Sequence, residues 1–371
     1  MNALQKDHFK NTDVLTLTLS DRKEFFFTSI PSQSDSPEEA LVNFFGVVRE
    51  TGAQIVSLEI FGGPGSGVLQ REVIPNTFGN AAFPVTWVEE KSGSAAHITG
   101  IQAWGIDGIP VLPILFEGNA AGTYFDTPSL RYCRLGGILP TDADDTPPEQ
   151  ATAVFQRMDA ALQLCDMQFN QVMRTWFFNH HLLDWYDVFN VARDVFFRKK
   201  QMYHHVVPAS TGIEGGNAAG SALEAGALAV SLKGEDAAVC MVPSPLQCAA
   251  LEYGSTFSRA TEIREPGLRR IYISGTASIS PDGRTQFEGD VAAQIKRTME
   301  VVKSILHACG MELSDSTRVT TYFKNAEDIP AFEAWRIETK TPAIPVVCVH
   351  NDVCRHDLLF EIELDALSLN V

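Results

Sequence analysis

The last β-rich stretch of the chain carries the plainest chemical potential. In Leu358-Leu359-Phe360-Glu361-Ile362-Glu363-Leu364-Asp365, apolar and acidic side chains alternate. A strand here sends Leu358, Phe360, Ile362 and Leu364 to the core and Glu361, Glu363 and Asp365 to the opposite face. Burial or a neighbouring carboxylate can keep one such group protonated near neutral pH, which suits a general acid. The same alternation also describes the wet side of a half-buried antiparallel strand, and the strand alone leaves both readings open. Ser210-Thr211-Gly212 offers two hydroxyls and a backbone N–H to a carboxylate, or forms a turn in which they serve geometry. Arg259 and Arg355 are cations for an anionic ligand or members of ion pairs, and Tyr253 orients a ring hydroxyl or packs.

His180-His181, His204-His205 and Cys354-x-His356 invite a metal reading. Adjacent strand residues point to opposite faces and no carboxylate sits at ligand spacing beside them, so neither a metal nor a cofactor is expected. Gly63-Pro64-Gly65-Ser66-Gly67 lacks the Lys-Ser/Thr ending of a phosphate loop and reads as a flexible connection. Trp176-Phe177-Phe178 with Phe196-Phe197 reads as core packing.

Positioning these residues falls to a strand, helix, strand pattern written three times. Helix starts at Ser36-Pro37-Glu38-Glu39, Pro147-Pro148-Glu149-Gln150 and Gly289-Asp290-Val291 each lead to a β-rich run, at 54–61, 171–178 and 317–323. Repeated units pack around a shared axis and leave clefts between them. The third helix puts Val291, Ile295, Met299, Val302, Ile305 and Leu306 on one stripe and stops at Cys309-Gly310. A second helix in the middle unit is expected over 185–193 with Asp184 as cap, with a counterpart over 329–335. In the first unit, segment 62–84 reads as loop in place of that helix. The expected fold is α+β: a degenerate first unit over 1–120, a second over 121–262 and a third over 263–371, each a mixed sheet with helices packed on one face.

Composition narrows the function classes. The chain has 371 residues, 45% of them hydrophobic and 20% charged, with a formal net charge of −17. That balance argues against phosphate-neutralising nucleic-acid binding, though local arginines can still hold a small anion. The N-terminal residues have no apolar core and no run is long enough to cross a bilayer, so neither export nor a membrane partner is expected. The seven cysteines are scattered without CxxC spacing, which suits reduced thiols and a cytoplasmic location.

Four stretches spanning roughly residues 125–366 make the chain resemble the RidA (YjgF, endoribonuclease L-PSP-like) superfamily, and within it the chorismatases. They are Arg174-Thr175-Trp176 with Phe189-Asn190-Val191-Ala192-Arg193; Pro208-Ala209-Ser210-Thr211-Gly212-Ile213; Ser274-Gly275-Thr276-Ala277-Ser278-Ile279 with Gly289-Asp290-Val291 and Gln294; and Cys354-Arg355-His356-Asp357-Leu358-Leu359-Phe360-Glu361-Ile362-Glu363. The resemblance implies three RidA-like units in a single-chain pseudo-trimer, a monomer, with the working cleft between the second and third units. It implies hydrolysis of the enolpyruvyl ether of chorismate or a related cyclic carboxylate, with release of pyruvate. Glu361 would be the acid, and Cys354 would line the product-determining part of the pocket. Ser210, Thr211, Gly212, Tyr253, Arg259, Lys324 and Arg355 would bind the ligand.

The chain departs from the family pattern at cations. Ser244-Pro245-Leu246-Gln247 has a leucine at a usual arginine, Tyr322-Phe323-Lys324 has a lysine at another, and Tyr186-Asp187 lacks an arginine often found there. Lysine keeps charge but not the bidentate fork. Ser210 and Ile344 stand where imine-hydrolysing relatives place a carboxylate-binding arginine, so a RidA-type enamine or imine hydrolase is disfavoured. The other alternative is a non-catalytic protein that keeps the cleft and binds a small ligand.

Overall fold

A computed structural model describes residues 3–78, 81–94, 97–250 and 256–369. The first unit runs β1 (Ala3–Phe9), β2 (Thr12–Thr18), β3 (Lys23–Ser29), α1 (Pro37–Thr51), β4 (Gln54–Gly62), α2 (Gln70–Phe78), β5 (Val85–Glu89) and β6 (Ile98–Asp107). The second runs β7 (Leu112–Phe116), β8 (Asn119–Asp126), β9 (Leu130–Ile138), α3 (Pro147–Gln163), β10 (Val172–Asn179), α4 (Leu182–Lys199), β11 (Ala209–Glu214) and β12 (Leu223–Leu232). The third runs β13 (Ala238–Val242), β14 (Ala260–Glu265), β15 (Leu268–Ala277), α5 (Val291–Ala308), β16 (Ser316–Phe323), α6 (Ile329–Glu338), β17 (Val346–His350) and β18 (Phe360–Leu369).

All three sheets have six strands in one order: β1-β2-β3-β6-β4-β5, β7-β8-β9-β12-β10-β11 and β13-β14-β15-β18-β16-β17. In each, the parallel edge strand pairs with the strand after the first helix. The first unit is therefore complete. Where loop was expected, a left-handed Gly65 leads through a 3-10 turn at Ser66–Leu69 into α2. The glycines and Pro75, which lies inside α2, hid that helix, because both residue types read as helix breakers. The sheets change between Asp107 and Leu112 and between Leu232 and Ala238, so the expected boundaries at 120 and 262 fall inside the next unit's hairpin. Strands β7 and β13 are short edges, only partly buried, whose apolar runs lack the alternation with polar residues that announces a half-buried strand.

Local signals start the helices. The Ser36 hydroxyl accepts from the Glu39 N–H at 3.2 Å while Glu39 accepts from the Ser36 N–H at 2.9 Å, a reciprocal cap. Asp290 accepts from the Ala293 N–H at 3.0 Å, and α5 ends at Gly310 with φ 69°. Helix α4 starts earlier than expected: the chain reverses at His181, in the left-handed region, and Asp184 sits in the first turn rather than at the cap. There its carboxylate still favours the positive end of the helix.

Helices cover the outer face of each sheet, and the inner faces meet around a common axis. Alternation divides one aromatic run between the two: Phe177 packs with Phe155, Phe189, Phe196 and Phe197 under α3 and α4, whereas Trp176 and Phe178 enter the central core with Trp104, Phe125, Tyr132 and Tyr322. Leu358 likewise joins the central core, while Phe360, Ile362 and Leu364 pack under α5. Buried ion pairs link each two neighbouring units around the axis, among them Glu24–Arg270, Glu59–Arg134 and Glu363–Arg174, each 2.6 Å. Removing one partner of such a pair strands a buried charge, so these contacts set how the units dock.

Candidate functional site

Strand β11, the parallel edge of the second sheet, runs beside the third unit; Ala209 bridges to Ser258, and the Ser210 N–H donates to the Ser274 hydroxyl at 2.8 Å. Outside this seam is a cavity of about 460 Å³. Helix α4 supplies one wall, with Tyr186, Asp187, Asn190 and Arg193 among its residues; β11 supplies Ser210 and Gly212. The third unit supplies Phe257, Arg259, Gly275, Cys354, Arg355 and Glu361. The volume suits a drug-sized or cyclohexadiene-sized ligand.

Glu361 is 4% exposed, and among the described residues no ion pair holds it. Burial, then the neighbouring Glu363, push its carboxyl up to about 8 against the pull of Arg174, Arg259 and Arg355. It is therefore a neutral acid at pH 7. A Cβ at Gly275 would overlap its Oε1, so only glycine lets this strand lie against the carboxyl. Glu363, two residues on, is the opposite case. Burial would raise it, yet Arg318 at 2.7 Å and Arg174 at 2.6 Å, with the Thr211 hydroxyl at 2.5 Å, hold it below the usual range. Two glutamates on one strand face thus differ in charge because one is paired and the other is not. Asp365 pairs with Arg318 at 2.8 Å. All three acidic side chains are buried at 9% exposure or less, which removes the wet-face reading.

Glu361, Cys354, Ser210, Gly212, Arg259 and Arg355 all line this one cavity. Burial and then Glu361 push the Cys354 thiol up to about 12, so it is a neutral wall rather than a thiolate. Ser210 accepts from the Thr175 hydroxyl at 3.0 Å and lies 3.4 Å from Arg193 Nη1. Arg259 donates from Nε to the Cys248 carbonyl at 3.0 Å, and Arg355 from Nη1 to the Gly283 carbonyl at 2.8 Å, which fixes each guanidinium from one side.

Two expected ligand-binding residues are placed elsewhere. Thr211 alternates away from Ser210 and Gly212, toward the axis, where its hydroxyl donates to Glu363 and accepts from Arg174 and the Gly275 N–H. Lys324 donates to the His356 carbonyl at 2.5 Å and does not line the cavity. Tyr253 lies outside the described residues. Residues missed as site members are Tyr186, Asp187, Asn190, Arg193 and Phe257. The signal for Arg193 was its place four residues after Phe189, which puts it on the same helix face as that apolar residue, and Arg193 is 1% exposed. Its Nη2 donates to the side-chain Oδ1 of Asn190 at 2.7 Å.

Among the described residues no cluster of His, Cys, Asp and Glu could hold a metal ion, and no helix is long and apolar enough to cross a membrane.

Comparison with known proteins places this architecture. The endoribonuclease L-PSP family model matches residues 250–368. A RutC family protein of Pyrococcus horikoshii is 31% identical over 94 residues, covering 25% of this chain and 75% of that protein. A chorismatase of Streptomyces rapamycinicus is 33% identical over 118 residues, 29% of this chain and 35% of that protein, so the aligned stretch spans about a third of that relative's length. A chorismatase crystal structure superposes with a TM-score of 0.63 at 17% identity over 94% of this chain and 100% of that one, which establishes the three-unit fold. The chain belongs to the RidA/YjgF superfamily and takes its chorismatase-like form, with three tandem units in one chain.

Proposed function

We propose that the protein is a chorismatase-like hydrolase that cleaves the enolpyruvyl ether of chorismate or a related cyclic carboxylate, with Glu361 as general acid. The observation that carries this reading is a buried, neutral carboxyl, with no ion pair to any described residue, in the wall of the cavity between the second and third units. Glu361 delivers its proton to the terminal methylene carbon of the enol ether, and the C=C electron pair forms the new C–H bond. The resulting oxocarbenium ion is captured by water, whose lost proton returns to the carboxylate. The hemiketal then collapses to pyruvate and the ring alcohol. Carbon protonation is slow, so a positioned acid that keeps its proton near pH 7 is the costly component to build. Arg193, Arg259 and Arg355 supply positive charge for the substrate carboxylate, and Gly212 lets Tyr186 lie close against β11 in the cavity wall.

Pyruvate release from chorismate, followed enzymatically, tests this. Glu361→Gln keeps the shape and is expected to lower kcat roughly 10²–10⁴-fold. Because the acid must be protonated, wild-type kcat/KM is expected to fall as pH rises through about 8. Near-normal turnover by Glu361→Gln removes this residue from the chemistry. No pyruvate from either protein favours the binding-only alternative, which Leu246 in the third core and the outward Lys324 also favour, since both subtract cations from the cleft.

A further inference from the structure

Among the described residues, the cavity wall contains one charged group that neither the fold nor the proposed chemistry uses. Helix α4 presents Asp187, Asn190 and Asp194 to the cavity at helical spacing. Asn190 is engaged by Arg193 at 2.7 Å. The Asp194 carboxylate is engaged by the Tyr203 hydroxyl at 2.5 Å and by Arg198 Nε at 2.8 Å. The Asp187 carboxylate has no hydrogen bond or ion pair to any described residue, although three arginines line the same cavity. Two further positions that would have strengthened the positive field do not reach it: Leu246 packs against the third core, and the Lys324 ammonium lies on the His356 carbonyl.

A ring ligand that turns an anionic group toward α4 fits this wall poorly. Its carboxylates can meet the three arginines, but an anionic group beside α4 would face the Asp187 charge, and like charges across a cleft repel. A ligand with a carboxylate at one end and an ammonium at the other meets opposite charge at both ends. We propose that the cleft selects a cyclic carboxylate that also carries an ammonium group, with Asp187 as the residue that sets this specificity. The inference rests on the reading of this cavity as the ligand site and deepens it by naming a substrate class: ring carboxylates bearing an amine in place of a hydroxyl.

The test needs no turnover. Isothermal titration of the full chain with trans-4-aminocyclohexanecarboxylate and trans-4-hydroxycyclohexanecarboxylate compares the same ring with and without the ammonium. The amino acid is expected to bind about fivefold tighter, the size of a solvent-accessible ion pair. In Asp187→Asn the ratio of the two affinities is expected to fall to near one, and Asp187→Glu is expected to restore it. Equal affinities in the wild type, a ratio that survives Asp187→Asn, or binding of neither probe each overturns the proposal. A protein that prefers the amine yet releases no pyruvate from any enol ether keeps this inference and loses the hydrolase reading. One that cleaves chorismate without preferring the amine does the reverse.

Discussion

Glu361 and Glu224 occupy the same place in two of the three sheets, and the cavity described above opens at Glu361. On β18, Glu361 precedes Ile362, which pairs with Thr276; on β12, Glu224 precedes Ala225, which pairs with Ile138. Gly275 and Gly137 stand before those partners, and each donates its N–H to a threonine of the neighbouring unit, Thr211 at 3.1 Å and Thr86 at 3.0 Å. Burial first pushes both glutamates up to about 8. The difference lies one residue further along the neighbour's edge strand. After Thr211 comes Gly212, under Tyr186 and open to the cavity; after Thr86 comes Trp87, 1% exposed, with its indole N–H donated to the Ser66 hydroxyl at 2.9 Å. Glu89 then pairs with Gly216 and accepts from the Gly67 N–H, sealing the junction of units one and two. At the third junction the equivalent of Glu361 is Gly100, and Val347 fills the space a side chain there would need. A raised carboxyl thus marks the place in the fold. The groups beside it decide whether it is a site.

Copying the closed junction into the open one is the harshest test of this comparison. Gly212→Trp places an indole where Tyr186 and the ligand ring would lie, since even a Cβ there comes within 3.1 Å of the Tyr186 hydroxyl. Ligand affinity and kcat/KM are expected to fall at least about 100-fold, a loss of some 2.7 kcal/mol or more. Titration and turnover read this directly, with circular dichroism to confirm a retained fold. Undiminished binding of a ring carboxylate would move the ligand out of this cavity.

The next largest effect separates the two junctions by what stands behind them. Arg174–Glu363 backs the open cleft and Arg134–Glu59 the closed one, both at 2.6 Å and buried. Arg174→Met and Arg134→Met are each expected to lower stability by about 3 kcal/mol, read as a shift in the urea midpoint, because each leaves a buried carboxylate short of a partner. Only Arg174→Met should also move the alkaline limb of activity upward, since Arg174 pulls the Glu361 pKa down. An equal shift of that limb in Arg134→Met would show that the two junctions are not electrically separate.

How much of this was readable beforehand follows from the range of each signal. The threefold repeat, the acidic helix starts and the alternation of Phe360, Ile362 and Leu364 with Glu361, Glu363 and Asp365 are local patterns and stand as read, whereas the degenerate first unit and the unit boundaries do not. The orientation of β18's acidic face was not local: it depends on arginines from β10 and β16, remote in sequence, that turn a polar face into a buried one. Thr211 was misplaced for a simpler reason, because alternation along β11 sends it away from the residues on either side of it. Asp187 escaped because an exposed aspartate on a helix is ordinary until a cavity opens beside it. Helix α2 was lost to its own glycines and proline, which in isolation argue for loop.

The smallest expected effect concerns the closed junction alone. Glu224 is buried, pushed up to about 8 by that burial and by Glu89, against the Trp87 N–H. A carboxyl whose folded pKa is raised contributes its full stability below the unfolded value near 4.5 and loses it as pH rises toward the folded one. Wild-type stability should therefore carry a penalty from Glu224 that grows from pH 5 to pH 8 and levels off once the group ionises in both states. Glu224→Gln keeps the neutral shape and removes the penalty. Thermal melts are expected to show little change at pH 5 and a gain of a few degrees at pH 9, with turnover at pH 7 unaffected. A loss of activity in Glu224→Gln comparable to that of Glu361→Gln would mean that the sealed junction also does chemistry, and the distinction drawn from Gly212 and Trp87 would fall.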